Sequence, residues 1–303
     1  MKSYSFFQLL RWLKKILPDK ESDRSANISN ESVAQKSNRE YYNRYGKYYE
    51  EYHAYFRNNL LMRQWIRNLG QAKSALPVTE NMKAIDFGCG TGLLSIMLLN
   101  MGFSVTAIDI SEVVLDELQQ KVSGLPEYLS KRIQLVQGGI ELLAALPKSN
   151  FHVVCESSVM HHLQNYISFL EISNELLIPG GVLYIGREPL IIDEQRVHKL
   201  NIPLYILIFV IDIAFDKIKS EGKFKEVFDK SIQPQWSKGG VSCKAFIETG
   251  KELGLEILFK RIYNWHRSKQ AFALDKILPR FLRFERLWGT FFDLALQKKR
   301  KKK

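Results

Sequence analysis

From about residue 82 the chain alternates short apolar runs with helical patterns. The runs are "KAIDF", "SVTAID", "IQLVQ", "FHVVCE" and "VLYIG", and between them lie "LLSIMLLNMG", "SEVVLDELQQKV", "ELLAAL" and "YISFLEISNELL". Strands alternating with helices predict a parallel, doubly wound sheet, because each crossover helix must cover one sheet face. After the fifth run the rhythm breaks over an insert, 190–240. It resumes with helix "CKAFIETGKELG", strand "LEILFKRIY", a second insert and a final strand "FFDLALQKK".

The residues ahead of this region follow other patterns. "YSFFQLLRWLKKIL", 4–17, puts Phe6, Leu9, Leu10, Leu13, Ile16 and Leu17 at helical spacing with basic residues between them. That predicts a short cationic amphipathic helix over 1–18, stopped by Pro18 and suited either to a membrane surface or to the protein's own core. Residues 19–38 are too polar to fold and read as a linker, and the tyrosine-rich stretch 39–80 reads as a helical cap, either core or a cover over a ligand. The apolar segment "IPLYILIFVIDIAF", 202–215, holds Pro203 and Asp212 and is shorter than the roughly 20 apolar residues of a spanning helix. It predicts a buried helix or an apolar lid. The organisation expected is therefore a helix over 1–18, a linker, a cap, a domain over 81–297 carrying the insert, and a basic tail over 298–303.

Charge and cysteines narrow the function classes. The net charge of +12 is concentrated at the end, where "KKRKKK" supplies half of it. Such a block suits RNA or anionic lipid, or is simply a solvated tail. Cys89, Cys155 and Cys243 form no CxxC pair, which argues against a disulfide framework or a zinc site and for a reducing cytoplasm. The N-terminal apolar stretch is broken by Arg11, Lys14 and Lys15 with no small-residue cleavage site, unlike a secretory signal. A cytoplasmic protein is expected, with peripheral membrane contact left open.

"AIDFGCGTGLLS", 84–95, carries the chemistry. A strand ends at Asp86, glycines at 88, 90 and 92 remove the Cβ atoms that would keep a ligand off the backbone, and a helix N-terminus follows with unpaired N–H groups. Asp109 closes the next strand, where an acid receives the two hydroxyls of a ribose. The glycine spacing is G-x-G-x-G and not the G-x-G-x-x-G of a dinucleotide site.

With "VTAIDIS", "FHVVCESSVMHHL" and "LLIPGGVLYI" in order behind that loop, the sequence resembles the class I S-adenosylmethionine-dependent methyltransferases, small-molecule branch. The resemblance covers about 80–190 well and 240–297 loosely. It implies a mostly parallel seven-stranded α/β sheet with the last strand antiparallel, and S-adenosylmethionine as cofactor. It further implies a cofactor crevice of Asp86, Gly88, Cys89, Gly90 and Gly92, with Asp109 on the ribose and Ile110 against adenine. The family often has an acid after a small residue beyond strand three. Here Gly139 stands in its place, so that contact falls to Glu141, next to Ile140, or is lost. Phe151-His152 replaces the family's common Phe-Asp at the start of strand four, which bears on the local turn.

Ligands of open α/β sheets sit beyond the carboxyl ends of the strands, which aims Glu156, Ser157 and Ser158 at the crevice, with His161 and His162 next. Adjacent helical residues point about 100° apart, whereas a shared metal asks for i, i+4 spacing, so no metal is expected. The candidate catalytic bases are His161, His162 and Glu188; lining without proton transfer and plain scaffolding are the alternatives. "ESSV" departs from the D/N-P-P-Y/F/W of base methyltransferases, and no G-x-S-x-G elbow marks a hydrolase. The function expected is methyl transfer to a small-molecule or lipid-like acceptor, at oxygen. The rivals are an RNA methyltransferase using the basic tail and a non-catalytic S-adenosylmethionine-binding module.

Overall fold

A computed structural model describes residues 33–52, 59–77, 79–191, 240–263 and 291–300. Helix α1, Val33–Tyr45, a 3₁₀ turn at Gly46–Tyr48, and helices α2, Tyr49–Tyr52, and α3, Asn59–Ser74, come first. The alternating region follows as β1 Lys83–Phe87, α4 Leu93–Asn100, β2 Ser104–Asp109, α5 Glu112–Ser123, α6 Glu127–Ser130, β3 Ile133–Gln137, α7 Ile140–Ala145 and β4 Phe151–Ser157. A 3₁₀ turn at Met160–His162 leads to α8 Tyr166–Leu176, β5 Leu177–Pro189, α9 Cys243–Glu252, β6 Leu255–Tyr263 and β7 Phe291–Lys298.

Among the described residues the strands form one seven-stranded sheet in the order β3-β2-β1-β4-β5-β7-β6. The pairs from β3 to β5 are parallel, and β7 runs antiparallel to both β5 and β6. The expected doubly wound sheet with its antiparallel last strand is what forms. Strands covered on both faces are buried almost throughout, as in β4, whereas the edge strands β3 and β6 are only partly buried. Successive strand residues feed opposite faces. Val153 and Cys155 join Trp65, Leu69, Leu98 and Leu118 from α3, α4 and α5, while Val154 joins Leu143, Phe169, Leu170 and Phe246 from α7, α8 and α9.

Side chains cap three of the helix starts. Ser111 Oγ accepts from Val114 N, Asn165 Oδ1 from Ile167 N and Ser168 N, and Ser242 Oγ from Ala245 N. His152 sits at the start of β4, away from the crevice, where Lys83 N donates to Nδ1 and Thr79 Oγ1 lies 2.8 Å from Nε2.

Some boundaries differ from the expected ones. Helix α1 takes in residues 33–38, which read as linker, and β5 starts at Leu177, ahead of the "VLYIG" run. Lys298, assigned to the tail, is the last residue of β7, with Nζ donating to the carbonyls of Asn174 and Leu177. The ends of the insert meet: Leu190 bridges Val241, and Val241 N donates to Pro189 O, so the insert leaves and returns at the end of β5. The 1–18 helix and the 202–215 segment lie outside the described residues, among which no helix is long and apolar enough to cross a membrane.

Candidate active site

The chain crosses from β3 to β4 past β2 and β1, so the sheet changes direction between β1 and β4, and a cavity opens there. The chain leaves β1 through Gly88, Gly90 and Gly92, with φ of 65°, 51° and 88°. A Cβ on Gly88 would stand 2.3 Å from Val159 Cγ2, and one on Gly92 2.1 Å from Leu118 Cδ1. At Gly90 the nearest atom, in the Tyr49 ring, is 4.0 Å away, which leaves that wall open to a ligand.

Asp109, the last residue of β2, lines the cavity. Its Oδ2 accepts from Gly90 N and its Oδ1 from Ser111 N, both at 2.9 Å, which ties the glycine loop to the neighbouring strand. Burial pushes its carboxyl up to about 6, against the pull of those N–H donors. Asp86 lies below the loop, 1% exposed, and accepts from Ser95 Oγ at 2.6 Å; burial pushes it up to about 7.

Gly88, Gly90, Asp109, Ile110, Gly139 and His162 line the cavity, as do Ser157 and Ser158. Asp86, Cys89, Gly92, Ile140, Glu141, Glu156, His161 and Glu188 are not among its lining residues. Cys89 is buried and donates its N–H to Ile108 O, Gly92 packs on Leu118, and Ile140 packs on the α7 side of the core. Glu141 turns back, Oε1 accepting from Gly139 N at 2.7 Å and Oε2 from Gln35 Nε2 at 3.4 Å.

The two histidines divide as their spacing requires. His161 points away from the cavity, with Nδ1 2.8 Å from Glu188 Oε2. His162 faces the cavity, and its Nε2 is 3.4 Å from Tyr42 Oη. Burial, and then the neighbouring His161, hold the His162 imidazole well below its usual range, so it is neutral near pH 7. Its Nδ1 is buried with no hydrogen-bond partner among the described residues.

The helical cap expected over 39–80 left open whether it covers a ligand, and sequence reasoning missed its first turns, Gln35 and Asn38, which read as linker. Gln35, Asn38 and Tyr42 lie along one face of α1 and, with Tyr49, line the cavity. The cover is pinned at several strand ends. Asn38 Nδ2 donates to His162 O at 3.5 Å, Ser111 Oγ to Asn43 Oδ1 at 2.7 Å, and Thr91 Oγ1 to Glu50 Oε1 at 2.8 Å, where Lys121 also binds. The tyrosines were the signal; the polar Gln35 and Asn38 hid it.

Residues 85–185 match the family model described as a methyltransferase domain. That stretch is a methyltransferase domain. Over 116 residues it is 32% identical to an uncharacterized protein of Haemophilus influenzae, covering 38% of this chain and 45% of that one. Over 104 residues it is 34% identical to the mitochondrial ubiquinone biosynthesis O-methyltransferase of Schizosaccharomyces pombe, covering 34% of this chain and 37% of that one. The matches thus span less than half the length of these curated relatives. Among solved structures, magnesium protoporphyrin IX methyltransferase from Synechocystis, with bound SAH, superposes with a TM-score of 0.52 at 15% identity, covering 88% of this chain and all of that one; the likeness is one of fold.

S-adenosylmethionine, the cofactor that the sequence resemblance implies, is a group the residues present fit. Gly88 and Gly90 supply a backbone wall, Asp109 an acceptor for ribose hydroxyls, and Ile110 with Gly138 and Gly139 a flat apolar slot beside it. Among the described residues no group of three or more His, Cys, Asp or Glu could hold a metal ion.

Proposed function

We propose that this chain transfers the methyl group of S-adenosylmethionine to a hydroxyl of a small-molecule or lipid-like acceptor. The observation that carries the reading is one cavity that joins the Gly88–Gly90 wall and Asp109 to a half-buried, neutral His162 under an aromatic cover. The similarity to ubiquinone biosynthesis O-methyltransferases supports oxygen as the methylated atom.

When bound, the cofactor supplies a methyl carried on a sulfonium, already activated toward a nucleophile. The chain's residues then have three tasks. Asp109 and the glycine loop fix the nucleoside and methionine ends. Tyr42, Tyr49 and Val159 shield the cavity from water, which would otherwise solvate the attacking oxygen. His162 would take the proton of the acceptor's hydroxyl on a ring nitrogen; a neutral imidazole has the lone pair this needs. A cytoplasmic location suits buried cysteines that form no CxxC pair. A membrane-presented acceptor draws support from the apolar patterns at 4–17 and 202–215.

The test has two parts. Calorimetry with S-adenosylhomocysteine should give saturable binding to the wild type and a loss of at least about ten-fold for Asp109→Ala, since a charged acceptor with two hydrogen bonds is removed. Methyl-labelled cofactor incubated with host extract should then label a small-molecule or lipid fraction. Label in RNA or protein would replace the proposed acceptor class. Binding without label in any fraction would make the chain a binding module.

A further inference from the structure

Behind the crevice wall, Glu156 at the end of β4 and Glu188 at the end of β5 are both fully buried, and neither lines the cavity. Glu188 Oε1 accepts from Val159 N at 2.6 Å and Met160 N at 2.8 Å, and its Oε2 accepts from His161 N at 3.3 Å and His161 Nδ1 at 2.8 Å. Glu156 Oε2 accepts from Val159 N at 3.0 Å. Together these bonds hold a turn that backbone preference does not favour, because Ser158 has φ of 61°, where non-glycine residues are rare. The turn is also the wall. Val159 fills the space left by the missing Cβ of Gly88, and Ser158, Val159 and His162 face the cavity.

Glu156 Oε1 is buried and meets no donor among the described residues. An ionised Glu156 would bury that oxygen unsatisfied beside a second carboxylate. A proton on Glu156 resolves both problems, as the acid O–H then donates to Glu188. We infer that Glu156 and Glu188 share one buried proton and, with His161, act as positioning residues that set the Ser158–His162 wall of the cofactor cavity. Neither glutamate is a catalytic base, the role expected for Glu188.

The charge balance agrees with the geometry. Burial and then the Glu188 charge push Glu156 well up; for Glu188 burial pushes up, but His161 and the N–H donors outweigh it and hold it below the usual range. The other titratable or charged groups around the pair are Cys155 on β4, Tyr184 and Arg187 on β5, and His162. Removal of the shared proton leaves two carboxylates side by side, and the turn they grip must shift.

The binding half of the test rests on the proposed cofactor site, so a second readout stands apart from it. The first is S-adenosylhomocysteine affinity by calorimetry as pH rises from neutrality. The wild type should weaken, and Glu156→Gln, whose amide keeps the donor without the ionisation, should lose that weakening. Glu188→Gln should bind about ten-fold or more weakly at every pH, since the turn's N–H groups lose a charged acceptor. The second is carboxyl-carbon NMR of selectively labelled glutamate, assigned with the same variants. It should show Glu156 protonated and Glu188 ionised at neutral pH, whether or not any cofactor binds. An alkaline limb unchanged in Glu156→Gln, or both carboxyls ionised at neutral pH, overturns the inference. Absence of binding by the wild type overturns the functional reading and leaves the NMR result to decide this one.

Discussion

Asp86 and Asp109 occupy equivalent ends of neighbouring strands, yet only Asp109 reaches the cavity; Asp86 spends its carboxylate on Ser95. Their pH responses differ in sign for what each does. Asp86 binds its proton more tightly in the folded chain, at about 7 against the usual 3.8. Its contribution to stability is therefore complete below the lower value and is lost as pH rises through the upper one. Asp86→Asn should flatten the fall in unfolding free energy between pH 4 and pH 7, measured by urea titration at a series of pH values; an unchanged slope would assign the effect elsewhere. Asp109 works the other way on binding, because its ionised form accepts from ribose hydroxyls far more strongly than the protonated acid does. With a carboxyl titrating at about 6, S-adenosylhomocysteine affinity should fall as pH drops from 7 to 5, and Asp109→Asn should lose that acid limb. The acid limb thus belongs to β2 and the alkaline one to the glutamate pair. Nothing in residue type separates Asp86 from Asp109, or Glu188 from a base facing the cavity. Which way each carboxyl turns is settled by Ser95, Gly90 and the turn at Ser158, which are neighbours only after folding.

At the scale of elements, the strands and the tyrosine-rich cap were legible and the first turns of α1 were not, for one physical reason. β1 and β2 are largely buried runs and β3 a partly buried one, and all three end where the apolar pattern ends, since parallel strands announce themselves by composition. Helix α1 holds its place through polar contacts: Gln35 to Glu141, Asn38 to His162 O, Asn43 to Ser111 and Tyr42 to the His162 ring. A stretch such as "AQKSN" carries no apolar period, so it reads as linker. Hydrogen bonds of this kind contribute about 1 kcal/mol each, enough to close the helix over the crevice but not to lock it. Exposed α1 amides should therefore exchange readily in the free protein and slow on addition of S-adenosylhomocysteine, as hydrogen–deuterium exchange of a peptide spanning 35–45 would register. Equal exchange with and without ligand would make α1 a fixed wall and remove it from any gating role.

For the whole molecule, the late entry of β7 matters most. The strand arrives from the far end of the sequence, inserts antiparallel between β5 and β6, and aligns Ile185 and Tyr184 with Leu294 and Ala295. It is buried along most of its length, so the sheet that carries the crevice is incomplete until the chain's last part docks. The basic composition there serves two purposes that a charge count merges. Lys298 Nζ satisfies the carbonyls of Asn174 and Leu177 at the junction of α8 and β5, and Arg300 donates to Ala75 O. These cations are structural, whereas a solvated run should leave stability untouched. Deleting residues 301–303 should leave the thermal midpoint within about a degree, while deleting 298–303 should lower it by several degrees, taking roughly 2–4 °C for each kcal/mol in a chain of this size. Lys298→Met, which keeps the apolar stem and loses the ammonium, should reproduce much of the larger shift. Equal midpoints for both truncations would return Lys298 to the tail. A loss of S-adenosylhomocysteine binding with the larger truncation alone would show that the strand which closes the sheet also holds the ends of β4 and β5 in the positions the crevice requires.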